Sequence, residues 1–296
     1  MRPKVIAVVG PTSVGKTKIS IELAKYYNIE IISGDSVAIY KELNIGSAKP
    51  SLDDQKEVKH HLIDIRSAKE SYSAADFQKD ARKIINQNQL TLICGGTGLY
   101  IQAALFQYEF EQDMRSTNFA TRYESLNNQE LYDLLKKKDP NLDENKIHMN
   151  NRKRVLRALE VLEQTGKSIH SFNHKNEPVY DYFIVYLNLE RNLLYSQINK
   201  RVDQMIENGL LEEVQNLYKK GIYPSGIGYK EFLPYFQNEI DLNTAIEQVK
   251  KNTRHLAKRQ ETWFKNQMQS HFYLVDINNL DNTIETIKKD INEWLE

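Results

Sequence analysis

The first apolar run, Val5 to Val9, is short and uninterrupted, the pattern of a strand buried on both faces of a parallel sheet. A glycine-containing loop, residues 10 to 17, separates it from a helical spacing of apolar residues at Ile19, Leu23 and Tyr26 or Tyr27. A second strand is predicted over Ile29 to Ile32, leading into Ser33-Gly34-Asp35-Ser36. Another short apolar segment, Leu62 to Ile65, follows His60 and His61. Ser73-Ala74-Ala75-Asp76 reads as a capping box opening a helix with Phe77, Ala81, Ile84 and Ile85 on its inner face. Leu90 to Cys94 is the next strand, ending in Gly95-Gly96-Thr97-Gly98 before a helix that starts near Leu99. The recurrence of strand, loop and helix predicts an α/β fold with a doubly wound parallel sheet flanked by helices.

Near Phe110 the pattern changes. From about Asp113 to Pro178 no segment has clear strand character. Asn128 to Lys138 is polar and helical, Asp139-Pro140 interrupts it, and Asn151 to Gln164 is a second helix with Val155, Leu156, Leu159 and Leu162 at core spacing, closed by Gly166. Residues 113–178 are therefore expected to form an all-helical insertion between core segments 1–112 and 179–296. Tyr182 to Leu189 returns to strand composition. Helices are predicted over Leu193 to Asn208, Leu210 to Lys219 and about Asn243 to Asn266, then a strand over Phe272 to Val275 and a closing helix over Asn282 to Trp294.

Composition adds bounds. At 296 residues with 40% hydrophobic side chains, the chain can build a substantial core. Its single cysteine, Cys94, excludes an intramolecular disulfide framework and a thiolate metal cluster, and suits a reducing compartment. No apolar run approaches the ~18 residues of a spanning helix, so a cytoplasmic protein without membrane contact is expected. Nothing in the sequence demands more than a monomer. Forty basic residues balance forty acidic ones, which leaves local charge distribution to speak for or against a polyanionic partner.

Gly10-Pro11-Thr12-Ser13-Val14-Gly15-Lys16-Thr17, set between strand and helix, has the spacing of a phosphate-binding P-loop, and so makes the predicted sheet P-loop NTPase-like. Such a turn aims backbone N–H groups and the helix dipole at an anion; Lys16 adds a charge, and the Thr17 hydroxyl is a ligand for magnesium. A nucleotide-hydrolysing protein of this type usually carries an acidic residue at the end of a central strand. Here the strand ending at Cys94 runs into two glycines, and the early strand-end carboxylate is Asp35. Asp35 is read as a general base at a reacting centre, with helix capping or an Asx turn as the alternative. Thr97 offers a hydroxyl in the same crevice. Two runs are rich in basic residues: Lys146, His148, Arg152, Lys153, Arg154 and Arg157; and Lys250, Arg254 and Lys258 beside Lys251, His255 and Arg259, with Trp263 a turn further on. Like charges at i, i+4 repel, and a polyanion removes that penalty. His60 and His61 are read as structural.

These segments resemble the successive motifs of the bacterial tRNA dimethylallyltransferase family. The match runs through residues 10–17, 33–40, 44–50, 60–64, 71–77, 95–100, 154–161, 226–231 and 252–263, spanning nearly the whole chain in order. The resemblance implies transfer of a dimethylallyl group from its diphosphate to N6 of the adenosine at position 37 of tRNA, 3′ to the anticodon, and an insertion that grips the anticodon stem-loop. It implies that Gly10 to Thr17 and Arg201 bind the diphosphate, with Mg2+ at Thr17, and that Asp35, Thr17 and Arg201 serve catalysis. It further implies tRNA contacts by Asp35, Ser36, Val37, Ala38, Thr97, Arg122, Lys153, Arg154, Val155, Leu156 and Arg157. Two departures stand out: Ala38 occupies a position where many members carry glutamine, and Ser13-Val14 replaces a common alanine and serine. Rival readings are a small-molecule kinase, a prenyltransferase acting on free adenine nucleotides, and an RNA-binding module with a disused loop.

Overall fold

The structure, a computed structural model, describes residues 2–110, 118–172 and 174–296. Strand β1 (Lys4–Val9) buries Val5 to Val9 completely and stands in the middle of a six-stranded sheet. After it come helix α1 (Lys16–Tyr27), strand β2 (Ile31–Ser33), a short helix α2 (Leu52–Glu57), strand β3 (His60–His61), helix α3 (Ala74–Ile85), strand β4 (Leu90–Gly95) and helix α4 (Gly98–Leu105). The chain returns to the sheet at β7 (Asp181–Asn188), after strands β5 (Phe106–Tyr108) and β6 (His174–Pro178) and helices α5 (Asn128–Lys138) and α6 (Arg152–Thr165). Helices α7 (Arg191–Glu207), α8 (Leu210–Lys219), α9 (Leu233–Phe236) and α10 (Leu242–Gln267), strand β8 (His271–Leu274) and helix α11 (Leu280–Leu295) complete it. The sheet order is β3-β2-β4-β1-β7-β8, and every pairing is parallel. Parallel pairing needs long crossovers, which the helices supply, and buries both faces, which explains the unbroken apolar runs.

Apolar clusters on the sheet and among the helices organise this unit, two of them central to placing α7. One gathers Ile6, Val8, Ile19, Leu23, Leu92, Val185, Ile198, Ile284 and Ile287 around β1, α1 and α11. The other gathers Val202, Leu210, Val214, Phe232, Ala245 and Val249 where α7, α8 and α10 meet. Leu194, Ile198 and Val202 recur at i, i+4 along α7, so that helix belongs to both clusters.

Past the pairing residues His60 and His61, the apolar segment Leu62–Ile65 leaves the sheet, because Leu62 (φ 60°) and Asp64 (φ 57°) are left-handed. Asp64 and Ile65 instead donate backbone bonds to Ala38 and Ile39. The insertion is not all-helical, because β5 and β6 pair into a two-stranded sheet. β5 is too short to display a period, β6 is polar and ends in Pro178, and their partnership bridges the whole insertion, so local pattern could not reveal it. The compact units are also bounded differently, as 106–177 against 1–105 plus 178–296; the expected boundary at residue 113 lies outside the described residues. Within 106–177, Leu131, Leu135, Ile147, Val155, Ala158 and Leu159 are completely buried and join α5 to α6.

Candidate active site

The P-loop begins where Gly10 (φ 145°) lies against β7. A Cβ there would stand 2.3 Å from the Leu187 carbonyl oxygen, so only glycine fits. Ser13 (φ 65°) and Gly15 (φ 94°) are left-handed, and this alternation turns successive N–H groups inward at the start of α1. Thr12, Ser13, Gly15, Lys16 and Thr17 line a cavity of about 770 Å³. Pro11 and Val14 are buried instead, Val14 within the apolar core, so they serve the loop through its backbone. The Lys16 ammonium donates to the carbonyls of Gly10 (3.0 Å) and Pro11 (2.8 Å), which holds it across the loop.

Burial lowers the Lys16 pKa to about 8; the Arg201 charge acts in the same direction, while Cys94 and Asp35 oppose it. Arg201 projects from α7 into the same cavity and donates to the Ala48 carbonyl (3.2 Å). Burial also pulls its pKa down, against the attraction of Asp35. Two cations are thus desolvated at one spot with one nearby carboxylate, an arrangement that favours an anionic ligand.

Asp35 stands at the carboxyl end of β2, where open α/β sheets hold their ligands. Its Oδ1 accepts from the amides of Val37 (2.8 Å) and Ala38 (3.3 Å). The Asx-turn reading is therefore realised, yet it engages a single carboxylate oxygen and leaves Asp35 in the cavity wall. Ser36, Val37 and Ala38 line the cavity too, Ala38 being almost completely buried. Thr97 ties this loop to the end of β4: its Oγ1 accepts from the Ser36 amide (3.2 Å) and donates to Ser36 Oγ (3.3 Å).

Two positioning groups were not anticipated from the sequence. Gln260 of α10 accepts from the Thr12 amide (2.9 Å) and donates to the Gly96 carbonyl (3.0 Å), joining the P-loop to the glycine loop. Its spacing from buried Ala257 and Phe264 marked the inner face of α10, which the basic run beside it obscured. Glu213 of α8 accepts from the amides of Asn44, Ile45 and Gly46 and from the Tyr229 hydroxyl, and so gathers the loop that ends at Ala48. Of the histidine pair, His61 Nε2 bonds Glu30 (2.6 Å), while His60 Nδ1 meets the Val58 carbonyl (2.7 Å) and the residue lines the cavity wall.

The remaining expected RNA contacts belong to the unit 106–177. Lys153 and Arg154 are exposed on the first turn of α6. Val155 is completely buried, Leu156 packs against the same core, and Arg157 pairs with Glu160 at 2.9 Å. Arg122 lies 4.5 Å from the Phe119 ring centre and 3.5 Å from Glu163. Arg152 is occupied in binding the carbonyls of Tyr123 and Leu126. On α10, Lys250 pairs with Asp203 and Glu247, and Arg254 donates to Asn199. Lys251, Lys258 and Arg259 are exposed.

The sequence profile described as IPP transferase matches residues 38–267. The chain is 45% identical to a tRNA dimethylallyltransferase of Enterococcus faecalis, covering 99% of this chain and 98% of that one. It is 44% identical to one from Anoxybacillus flavithermus, with 100% and 96% covered. Among solved structures, the full-length tRNA isopentenylpyrophosphate transferase of Bacillus halodurans superimposes with a TM-score of 0.74 at 40% identity, covering 99% and 97% of the two chains. A eukaryotic dimethylallyltransferase acting on tRNA gives a TM-score of 0.80 at 28% identity, covering 97% and 77%. With its profile, its full-length relatives and its fold in agreement, the chain belongs to the IPP transferase family.

Proposed function

We propose that this protein transfers a dimethylallyl group from dimethylallyl diphosphate to N6 of the adenosine at position 37 of tRNA, forming N6-isopentenyladenosine. The observation that carries the reading is one cavity in which a P-loop, Lys16 and Arg201 confront Asp35 and its amide-rich loop. The adenine nitrogen attacks the allylic carbon, the carbon–oxygen bond to the diphosphate breaks, and the proton lost from nitrogen goes to Asp35. The P-loop amides with Lys16 and Arg201 take up the charge of the departing diphosphate. A loop adenosine is the cheaper substrate, since it reaches such a crevice without extrusion from a duplex.

Magnesium fits this site through Thr17, whose hydroxyl belongs to the cavity lining. Among the described residues no cluster of three His, Cys, Asp or Glu side chains is arranged to hold a metal. The Thr17 hydroxyl would therefore be the protein's own contribution to holding such an ion. Bound there, magnesium would neutralise diphosphate charge. Exposed Lys153 and Arg154 are the cations of α6 best presented to an RNA backbone, and Arg122 is a further candidate. No helix among the described residues is long and apolar enough to cross a membrane, and we take the protein to act as a cytoplasmic monomer.

The test supplies an unmodified anticodon stem-loop, dimethylallyl diphosphate and magnesium, and measures RNA mass. The expected result is a gain of one five-carbon unit, with Asp35→Ala at least about 10²-fold slower while binding RNA normally. No mass gain, or an absolute need for ATP, overturns the reading in favour of a kinase; normal turnover by Asp35→Ala removes the general-base role.

A further inference from the structure

We infer that Gln260 is a positioning residue that sets the separation between the leaving-group half of the site and its acceptor half. The inference rests on the transfer reading above and adds to it a residue that need not touch either substrate. The P-loop holds the diphosphate; Asp35 and its loop face the nucleophile. The two halves stand at the carboxyl ends of β1 and β2, and β4 lies between those strands in the sheet. Their spacing therefore depends on what fixes the β1 and β4 loops to each other.

Gln260 supplies that link with both ends of one planar amide. Its Oε1 accepts from the Thr12 amide (2.9 Å), at the first bend of the P-loop, and its Nε2 donates to the Gly96 carbonyl (3.0 Å). From Gly96 the connection passes directly to the acceptor side. The next residue, Thr97, donates its amide to Gly34 (3.3 Å), and its hydroxyl accepts from the Ser36 amide (3.2 Å), so Asp35 is bracketed by residues that Thr97 holds. The glycine loop is shaped to receive α10. A Cβ at Gly96 would stand 2.3 Å from Gln260 Nε2, and one at Gly98 would stand 2.2 Å from the Trp263 ring. Gln260 thus approaches the loop as closely as a residue without a side chain allows. Its amide is neutral, so it bridges two backbone groups without adding charge beside Lys16 and Arg201. A carboxylate or an ammonium would satisfy one end and oppose the other.

Misplacing a reacting group by about 1 Å costs on the order of 10²-fold in rate while leaving binding groups in place. The experiment compares Gln260→Leu, Gln260→Glu and Gly96→Ala with the wild-type chain, measuring kcat, the affinities for inorganic diphosphate and for the stem-loop, and amide exchange across residues 10–17. For Gln260→Leu, kcat is expected to fall about 10²-fold, both affinities to stay within about threefold, and the Thr12 amide to exchange faster. Gly96→Ala should reproduce the kcat loss by displacing Gln260, and combining it with Gln260→Leu should add little. Gln260→Glu, closest in size, guards against misfolding: it keeps the Thr12 bond and its slow exchange, loses the Gly96 bond, and should still lower kcat. Wild-type kcat in Gln260→Leu overturns the inference. So does a loss of stem-loop affinity equal to the loss in kcat, which would make Gln260 an RNA contact. Should the wild-type chain transfer no five-carbon unit, the functional reading fails on its own. Exchange at Thr12 with inorganic diphosphate bound then decides the clamp, and unchanged protection in Gln260→Leu overturns it.

Discussion

Lys16 shows how a single residue couples the fold to the chemistry. An ammonium drawn down from 10.5 to about 8 is still charged at pH 7 but largely neutral at pH 9. Burial favours its neutral form, so between those two values the native chain binds fewer protons than the unfolded chain. The Lys16 contribution to stability therefore rises with pH across that window and is least below it. Ligand affinity has the opposite sign, because only the charged form attracts a diphosphate. Binding of dimethylallyl diphosphate to the free protein is expected to weaken as pH climbs past about 8, where the diphosphate itself is already fully ionised, and calorimetric titration checks this. In Lys16→Met that limb should vanish and affinity at pH 7 should be lower throughout; a limb that persists in the variant would assign it to another group. The motif made Lys16 legible in the sequence, but its lowered pKa was not, since that comes first from the burial the fold imposes, with Arg201 arriving from α7 adding to it. Asp35 was legible as a strand-end carboxylate, and the structure adds that one oxygen already serves its own loop.

At the scale of elements, the local pattern identified what each segment is and missed what it is held by. The strands β1, β4 and β7 and the helices α3, α6 and α10 follow from unbroken apolar runs and from period. The capping box at Ser73 is formed with Asp76 as its residues suggest. β3 and the β5–β6 pair escaped because their partners are remote in sequence, and Gln260 escaped because a glutamine on a charged helix carries no signature. Glu213 belongs to the same class. It collects the amides of the loop that precedes Ala48, whose carbonyl receives Arg201, so an exchange on α8 reaches the diphosphate through that loop. Gln in its place keeps one acceptor oxygen and turns the other into a donor that faces amides, at a cost of about 1.5–3 kcal/mol for each charge-assisted bond lost. Glu213→Gln should lower the thermal midpoint and weaken diphosphate binding about tenfold, with stem-loop affinity nearly unchanged. Unchanged diphosphate affinity beside a lowered midpoint would confine Glu213 to stability.

Across the whole molecule, neutrality of charge conceals an uneven distribution, and the structure revises how much of it faces solvent. Both basic runs look free in the sequence because most of their acidic partners lie just outside the runs, one turn of chain away, and one, Asp203, lies on another helix. Lys250 is paired with Asp203 and Glu247, Arg157 with Glu160 and Lys146 with Asp143, while Arg152 and Arg254 spend their donors on neutral oxygens. Lys153, Arg154, Lys251, Lys258 and Arg259 remain exposed. Counterion release makes the two pictures separable, because each phosphate contact adds about 0.7–0.9 to the slope of log affinity against log salt. If those exposed cations carry the electrostatic binding of the stem-loop, the slope is about −4; if every lysine and arginine of both runs took part, it is about −8. Titrating the stem-loop between low and physiological salt distinguishes them, and we expect the shallower value. Lys153→Ala with Arg154→Ala should then reduce the slope by about 2 without changing affinity for inorganic diphosphate, since the cavity that binds it is built from the other compact unit. A slope that ignores the double substitution would remove α6 from the RNA-binding surface and leave the electrostatic contacts to α10.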